Sequence, residues 1–245
     1  MNHASLNARL VSLCLKGLGT SDAADRSRDV LEVGAGHGGF TVHVLAAGYS
    51  VVATEVSRAL VGELEEQFGT NPGFAALYDA DGSLNVLNNR RFSGVLYASV
   101  LHHIPDYESA IRRVCKRHLL VGGALVTVQD PLWYPSIGRF TRVVSGLAYF
   151  AWRIGQGNYW RGLRTRARRA VGQFDVSDPS DTVEYHVVRR GVDERSLELL
   201  LSDLFETVTT VRYWSTQSPF WQRLGEMMGL QNTFAFVATE YRDAS

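Results

Sequence analysis

Two histidines stand side by side in "SVLHHIPD" (residues 99–106), and Asp130 follows the next strand-like run, "ALVTVQ" (124–129). Histidine, with an ordinary pKa near ~6.5, takes or gives a proton near neutral pH, and a neighbouring carboxylate fixes its tautomer and stabilises its protonated form. His102, His103 and Asp130 therefore form a candidate set for removing a proton from a hydroxyl, with His103 slightly favoured as the base. The competing reading is that one ring packs beneath a ligand or caps the helix starting near Asp106. Upstream, "LEVGAGHGG" (31–39) places four glycines between a strand-like and a helix-like run, where tight turns and free amide donors make a nucleotide loop. Gly34, Gly36 and Gly39 also satisfy GxGxxG, so the loop alone leaves a dinucleotide open. Glu32 precedes the loop and can meet a cationic amino group. Glu55, in "VVATEVS", is placed to accept hydrogen bonds from ribose hydroxyls. Asp79 in "ALYDADG", with Asp81 as near alternative, can accept from an adenine amino group; otherwise these are solvated strand-end and turn carboxylates.

Such residues need a scaffold that gathers strand ends. From Asp29 the chain alternates short apolar runs with amphipathic ones: strands at 29–33, 49–54, 73–78, 92–98 and 124–129, and helices at 37–47, 57–68 and 106–118. Ser57 is a predicted N-cap, and Gly48 and Gly69 close the first two helices. This β-α-β order predicts a parallel sheet covered on both faces, with ligands bound beyond the carboxyl ends of its strands. The paired histidines fall just past strand four and Asp130 at the end of strand five, on the same rim. The rhythm then fails for about sixty residues, longer than a simple connection. It returns at Asp193, a predicted N-cap, with Leu197, Leu200, Leu201 and Leu204 on one helical face and strands at 206–215 and 233–241.

The 245 residues, 45% hydrophobic and 20% charged, suit one domain with one elaboration. Residues 1–28 read as a helical segment with Leu6, Leu10 and Leu13 at helical spacing and no signal-peptide core. No run approaches the roughly 20 apolar residues of a membrane span, so a cytoplasmic protein is expected. Cys14 and Cys115 lack metal or disulfide spacing and read as buried thiols, and no metal is expected. The formal charge is zero, yet from Leu132 to Gly172 there is no acidic residue and there are eight arginines, from Arg139 to Arg169.

The segments "VLEVGAGHG", Glu55, Asp79 and "SVLHHIPD", followed by "VGGALVTV", resemble those of class I S-adenosylmethionine-dependent methyltransferases. The resemblance covers Asp29 to about Asp130 well, and the last helix and strands by pattern. It implies a Rossmann-like seven-stranded, mostly parallel sheet of order 3-2-1-4-5-7-6 with strand 7 antiparallel. It also implies S-adenosylmethionine as cofactor. Gly34, Ala35, Gly36 and Gly38 would surround the methionine portion and sugar, Glu55 would hold the ribose and Asp79 would lie near the adenine, with Glu32, Ala80 and Ser99 completing the set. The histidine pair and Asp130 look like the acceptor side of sugar and natural-product O-methyltransferases. Transfer of a methyl group to nitrogen or carbon is the alternative within that family.

Other readings fit less well. A short-chain dehydrogenase needs Tyr-x-x-x-Lys, and neither Lys16 nor Lys116 has a tyrosine four residues earlier. Nucleic-acid amino-methyltransferases commonly carry Pro-Pro-aromatic after strand four, where this chain has "ASVLHHIP", so no nucleic-acid partner is expected. A methyltransferase-like domain that binds without catalysis is the third reading. The insertion 132–190 is expected to form a helical lid over the same rim, with Trp133, Tyr134, Tyr159 and His186 as acceptor contacts, although an aromatic stripe also suits a lid core. Its arginines suit an anionic, glycosylated or lipid-linked small-molecule acceptor or an anionic membrane surface; a solvated helix face is the plainer alternative.

Overall fold

The apolar runs of the first half become five parallel strands: β1 (Asp29–Val33), β2 (Ser50–Glu55), β3 (Phe74–Tyr78), β4 (Phe92–Ala98) and β5 (Leu119–Pro131). The computed structural model describes residues 3–19, 28–155 and 191–243. β6 (Phe205–Tyr213) and β7 (Thr233–Tyr241) complete a seven-stranded sheet of order β3-β2-β1-β4-β5-β7-β6, with β7 antiparallel to both neighbours. This is the expected topology.

Alternation along each strand divides the apolar side chains between the two faces. On one face, Val30, Leu96 and Val126 meet Leu6, Leu10, Cys14 and Leu18 of α1 (Ala4–Gly19). That helix buries Cys14 and Leu18 and leaves Leu13 half-buried, so the contact stripe runs one residue further round than the leucine spacing implies. On the other face, Leu31, Val95 and Leu125 pack with Ile111 and Val114 of α4 (Tyr107–His118) and with Leu197, Leu200, Leu201 and Leu204 of α6 (Glu194–Leu204). Both cysteines are buried and free, and desolvation pushes the Cys115 thiol up to about 12, so it stays protonated.

Helix starts follow side-chain chemistry. Ser57 Oγ accepts from Leu60 N and Asp193 Oδ1 from Arg195 N and Ser196 N, as predicted, and Asp106, read as the first helical residue, instead caps α4 by accepting from Ser109 N. Most ends shift by one or two residues, and the larger departures are these. α2 spans only Thr41–Ala46, because turns occupy residues 36–40; α3 runs Arg58–Phe68. β5 begins at Leu119, passing through Gly122 and Gly123 with a shift in register rather than starting after them. α7 (Pro219–Met227), between β6 and β7, was not anticipated, although Pro219 in its first turn and Gly229 beyond its end mark it.

The insertion departs at Leu132 and is back at Val192, which bridges to Leu132 in parallel, so both ends meet on one rim position. Within it lies α5 (Arg139–Gly155). Tyr159, His186 and the arginines 161–169 lie outside the described residues, and so does the greater part of the expected lid.

Candidate active site

The β1–α2 loop is tied down at both ends. Gly34 N and Ala35 N donate to Thr54 O at 2.8 and 3.2 Å. Gly36 N donates to Glu55 Oε2 at 3.0 Å, while Glu55 Oε1 accepts from Val56 N and Ser57 N at 2.8 and 3.2 Å. Glu55 thus pins the loop from the end of β2, and its Oε2, which accepts one hydrogen bond, retains a lone pair for a further donor. The glycines have different duties. Gly36, at φ 56°, has nothing within 4 Å of where a Cβ would sit, so it opens onto space, whereas a Cβ on Gly38 (φ 74°) would come within 2.5 Å of Phe68. In a dinucleotide fingerprint the third glycine permits close helix–strand packing. Here Gly39, the residue in that register, has nothing within 4 Å, which separates this loop from that pattern.

Glu32 lies beneath the loop, only 1% exposed. Its Oε2 accepts from the Thr41 hydroxyl at 2.6 Å, while Oε1 has no hydrogen-bond partner among the described residues. Burial pushes its carboxyl up to about 7, opposed by the Thr41 hydrogen bond. A carboxyl raised from its ordinary value of 4.5 favours the folded state while protonated. That contribution is full below the unfolded pKa and is lost as pH rises through the folded one. The shift corresponds to about 3 kcal/mol. Glu32→Gln is therefore expected to flatten the pH dependence of stability between about 4.5 and about 7, read as the slope of melting temperature against pH. An unchanged slope would show that Glu32 does not titrate there.

Asp79, 2% exposed, follows β3; its Oδ2 accepts from Leu84 N at 3.0 Å and its N donates to Glu55 O at 2.9 Å, so it adjoins the Glu55 turn. Ala80 beside it is exposed. The orphaned Glu32 oxygen, the open face of Gly36 and the acidic ends of β2 and β3 fit an adenosine-bearing cation with an amino group. Glu55→Ala is expected to weaken S-adenosylhomocysteine binding roughly 10- to 100-fold, because it loses charge-assisted hydrogen bonds and releases Gly36 N from its partner. Titration calorimetry reads this directly.

The second constellation is assembled where β4 and β5 end. Ala98 pairs with Val128, and the register then slips between Val128 and Asp130. Ser99 (φ 62°) and Gln129 (φ 69°) both adopt the left-handed conformation, uncommon for such residues and typical of functional sites. The slip turns Asp130 inward, with no exposed surface. Its Oδ1 accepts from His102 Nδ1 at 2.8 Å and from His102 N at 3.2 Å, and Oδ2 has no partner among the described residues. Burial raises the Asp130 carboxyl pKa, and the hydrogen bonds and charge of His102 act against that rise. With Asp130 ionised, Nδ1 of a neutral His102 carries the proton, which leaves the lone pair on Nε2. The His102 side chain is 8% exposed. His103 is exposed, and its ring centroid lies 4.0 Å from that of His102 at a tilt of 44°. The sequence favours His103 as base; the carboxylate meets His102.

A cavity of about 250 Å³ is lined by Gln129 and Pro131, which flank Asp130, and by Ser99, Ser215, Thr216, Gln217 and Thr233; the described lining includes neither histidine nor Asp130 itself. Its far wall, the β6–α7 turn, was not anticipated; the only signal was that it follows a strand on the functional rim. Gln129 N donates to the Tyr213 hydroxyl at 2.9 Å, which braces that wall against the β5 slip. Trp133 and Tyr134 lie partly exposed at the start of the insertion and do not line this cavity.

Residues 31–125 match a family model described as a methyltransferase domain. No curated protein matches the sequence. Among solved structures, the CurJ carbon methyltransferase is 17% identical with a TM-score of 0.57, covering 96% of this chain and 54% of its own. A methyltransferase of Archaeoglobus fulgidus dependent on S-adenosylmethionine is 15% identical with a TM-score of 0.56, covering 96% and 93%. A sarcosine dimethylglycine methyltransferase, so described, of Galdieria sulphuraria is 13% identical with a TM-score of 0.54, covering 98% and 85%. The chain thus spans about half the length of the CurJ structure (54%), and identities at this level establish the fold alone. Residues 31–125 are thus similar to a methyltransferase domain, and the sheet order gives the chain the fold of these solved methyltransferases.

Proposed function

We propose that the protein transfers a methyl group from S-adenosylmethionine to a hydroxyl of a small, polar, sugar-containing or natural-product acceptor, with His102 as general base and Asp130 holding its tautomer. The observation that carries this reading is the buried Asp130 carboxylate bonded to His102 Nδ1 at 2.8 Å on the rim shared with the glycine loop. A neutral amine needs no base to attack a sulfonium methyl, whereas a hydroxyl gains from proton removal as it attacks, typically ~10²–10⁴-fold. Gly34, Ala35, Gly36, Gly38, Glu32, Glu55 and Asp79 would hold the cofactor, which supplies the electrophilic methyl. His102 would take the acceptor's proton on Nε2, and Asp130 would balance the imidazolium charge. The cavity walled by Ser99, Gln129, Ser215, Thr216, Gln217 and Thr233 carries hydroxyl and amide groups and, among the described residues, no charged side chain, which suits a neutral polyhydroxylated acceptor.

A second reading is methyl transfer to an activated carbon. It is favoured by the likeness to the CurJ and DszA carbon methyltransferases, at TM-scores of 0.57 and 0.53, because a histidine base also serves an acidic C–H. Incubation of the protein with methyl-labelled S-adenosylmethionine and a metabolite extract, followed by mass spectrometry of the labelled product, separates the readings. An O-methyl product is expected; a labelled C-methyl or N-methyl product would overturn the hydroxyl assignment, and absence of any labelled product would overturn catalysis itself.

A further inference from the structure

The helix α5 has more apolar surface than the fold covers. Its inner face is set by Val144 and Ala148, both buried, whereas Phe140, Val143, Leu147 and Phe150 are 47–60% exposed. These four are spaced i, i+3, i+7 and i+10 and share one stripe beside the buried face. Exposed large residues scattered singly are ordinary, but a contiguous stripe on one helix marks a contact surface. The polar side of the same helix carries Arg139 and Arg142, both exposed, and no acidic residue occurs between Leu132 and Gly155. Trp133 and Tyr134, 38% and 39% exposed, precede it. Among the described residues no helix is long and apolar enough to cross a membrane.

We infer that α5 is a membrane-surface helix that seats the protein on an anionic bilayer, with Phe140, Val143, Leu147 and Phe150 entering the headgroup–acyl boundary and Arg139 and Arg142 meeting lipid phosphates. Charge complementarity selects this occupant. A protein partner or a second copy would be met by the apolar stripe alone, but a flank carrying Arg139 and Arg142, with no acidic residue from Leu132 to Gly155, matches a surface of uniform negative charge. Aromatic residues with polar tips at the helix entry suit the same interface.

The test is flotation of the full chain with vesicles of phosphatidylcholine alone and of an equimolar mixture with phosphatidylglycerol. The wild-type protein is expected to float with the anionic vesicles at least tenfold better than with the neutral ones, and less as salt is raised. Leu147→Glu with Phe150→Glu, and separately Arg139→Glu with Arg142→Glu, should each reduce flotation at least tenfold. Melting temperature and S-adenosylhomocysteine affinity should remain at wild-type values in the arginine variant, which alters only exposed side chains and so keeps the test valid if the glutamate variant misfolds. Equal flotation with both vesicle types, no flotation at low salt, or wild-type flotation of the arginine variant would overturn the inference. So would light scattering showing that the stripe variant changes a dimer to a monomer, which would assign the stripe to a second copy.

Discussion

His102→Ala is expected to lower turnover about 10²–10⁴-fold at saturating acceptor while leaving S-adenosylhomocysteine affinity unchanged, because the base acts on the acceptor's proton and does not hold the cofactor. Asp130→Asn should fall in the same range, since an amide can hold the wrong tautomer of the His102 ring. Groups that act as a unit are not additive, so the double variant should be no slower than the slower single one. The pair is buried, and a loss of folding would also reduce rates; cofactor affinity and melting temperature measured on the same samples separate the two causes. If both variants turn over at the wild-type rate, the pair is a packing feature and the proton leaves by another route. The exposed His103, stacked 4.0 Å from His102, should give a smaller loss on replacement, seen mainly in KM, because Asp130 is bonded to the His102 ring.

Gly38→Ala is expected to be the most damaging small change in the cofactor loop, and Gly36→Ala to be damaging in a different currency. At Gly38 a side chain must adopt φ 74° and bring its Cβ to 2.5 Å from Phe68 Cε2 and 3.0 Å from Leu64 Cδ2. Left-handed backbone costs ~1–2 kcal/mol and overpacking a further ~1–3 kcal/mol. The sum, about 2–5 kcal/mol, corresponds to a fall in melting temperature of roughly 5–20 °C for a domain of this size. Gly36 has the same backbone sign but open space, so its alanine variant should lose only about 1–2 kcal/mol of stability while its methyl group obstructs the ligand's approach. Thermal melts and calorimetry on both variants should therefore cross: Gly38→Ala melts lower, Gly36→Ala binds weaker. Parallel losses in both assays would show that the loop acts as a single structural turn.

The strands were legible because the sheet interior imposes them. β1 and β4 have the predicted ends, since both faces are covered and the apolar run stops where cover stops. Capping chemistry located α3 and α6, through Ser57 and Asp193, by residue type alone. What could not be read from the sequence depends on contacts distant along the chain. The inward turn of Asp130 comes from the β5–β7 register slip and the left-handed Gln129, and the choice of His102 over His103 follows from that turn. Thr41 as partner of Glu32 was equally hidden, because nothing in the sequence between the loop and α2 says which hydroxyl points back under the strand. The cavity wall at Ser215–Gln217 depends on the unanticipated α7, whose Gly225 lets Trp214 lie against it, with Trp214 Nε1 donating to Trp221 O at 2.9 Å.

The most direct test of the account is titration calorimetry of the full chain with S-adenosylhomocysteine and, separately, with NAD. Saturable binding of S-adenosylhomocysteine, weakened by Glu55→Ala and Gly36→Ala and unaffected by His102→Ala, with no binding of NAD, is the predicted result. Tight NAD binding without S-adenosylhomocysteine binding would contradict it.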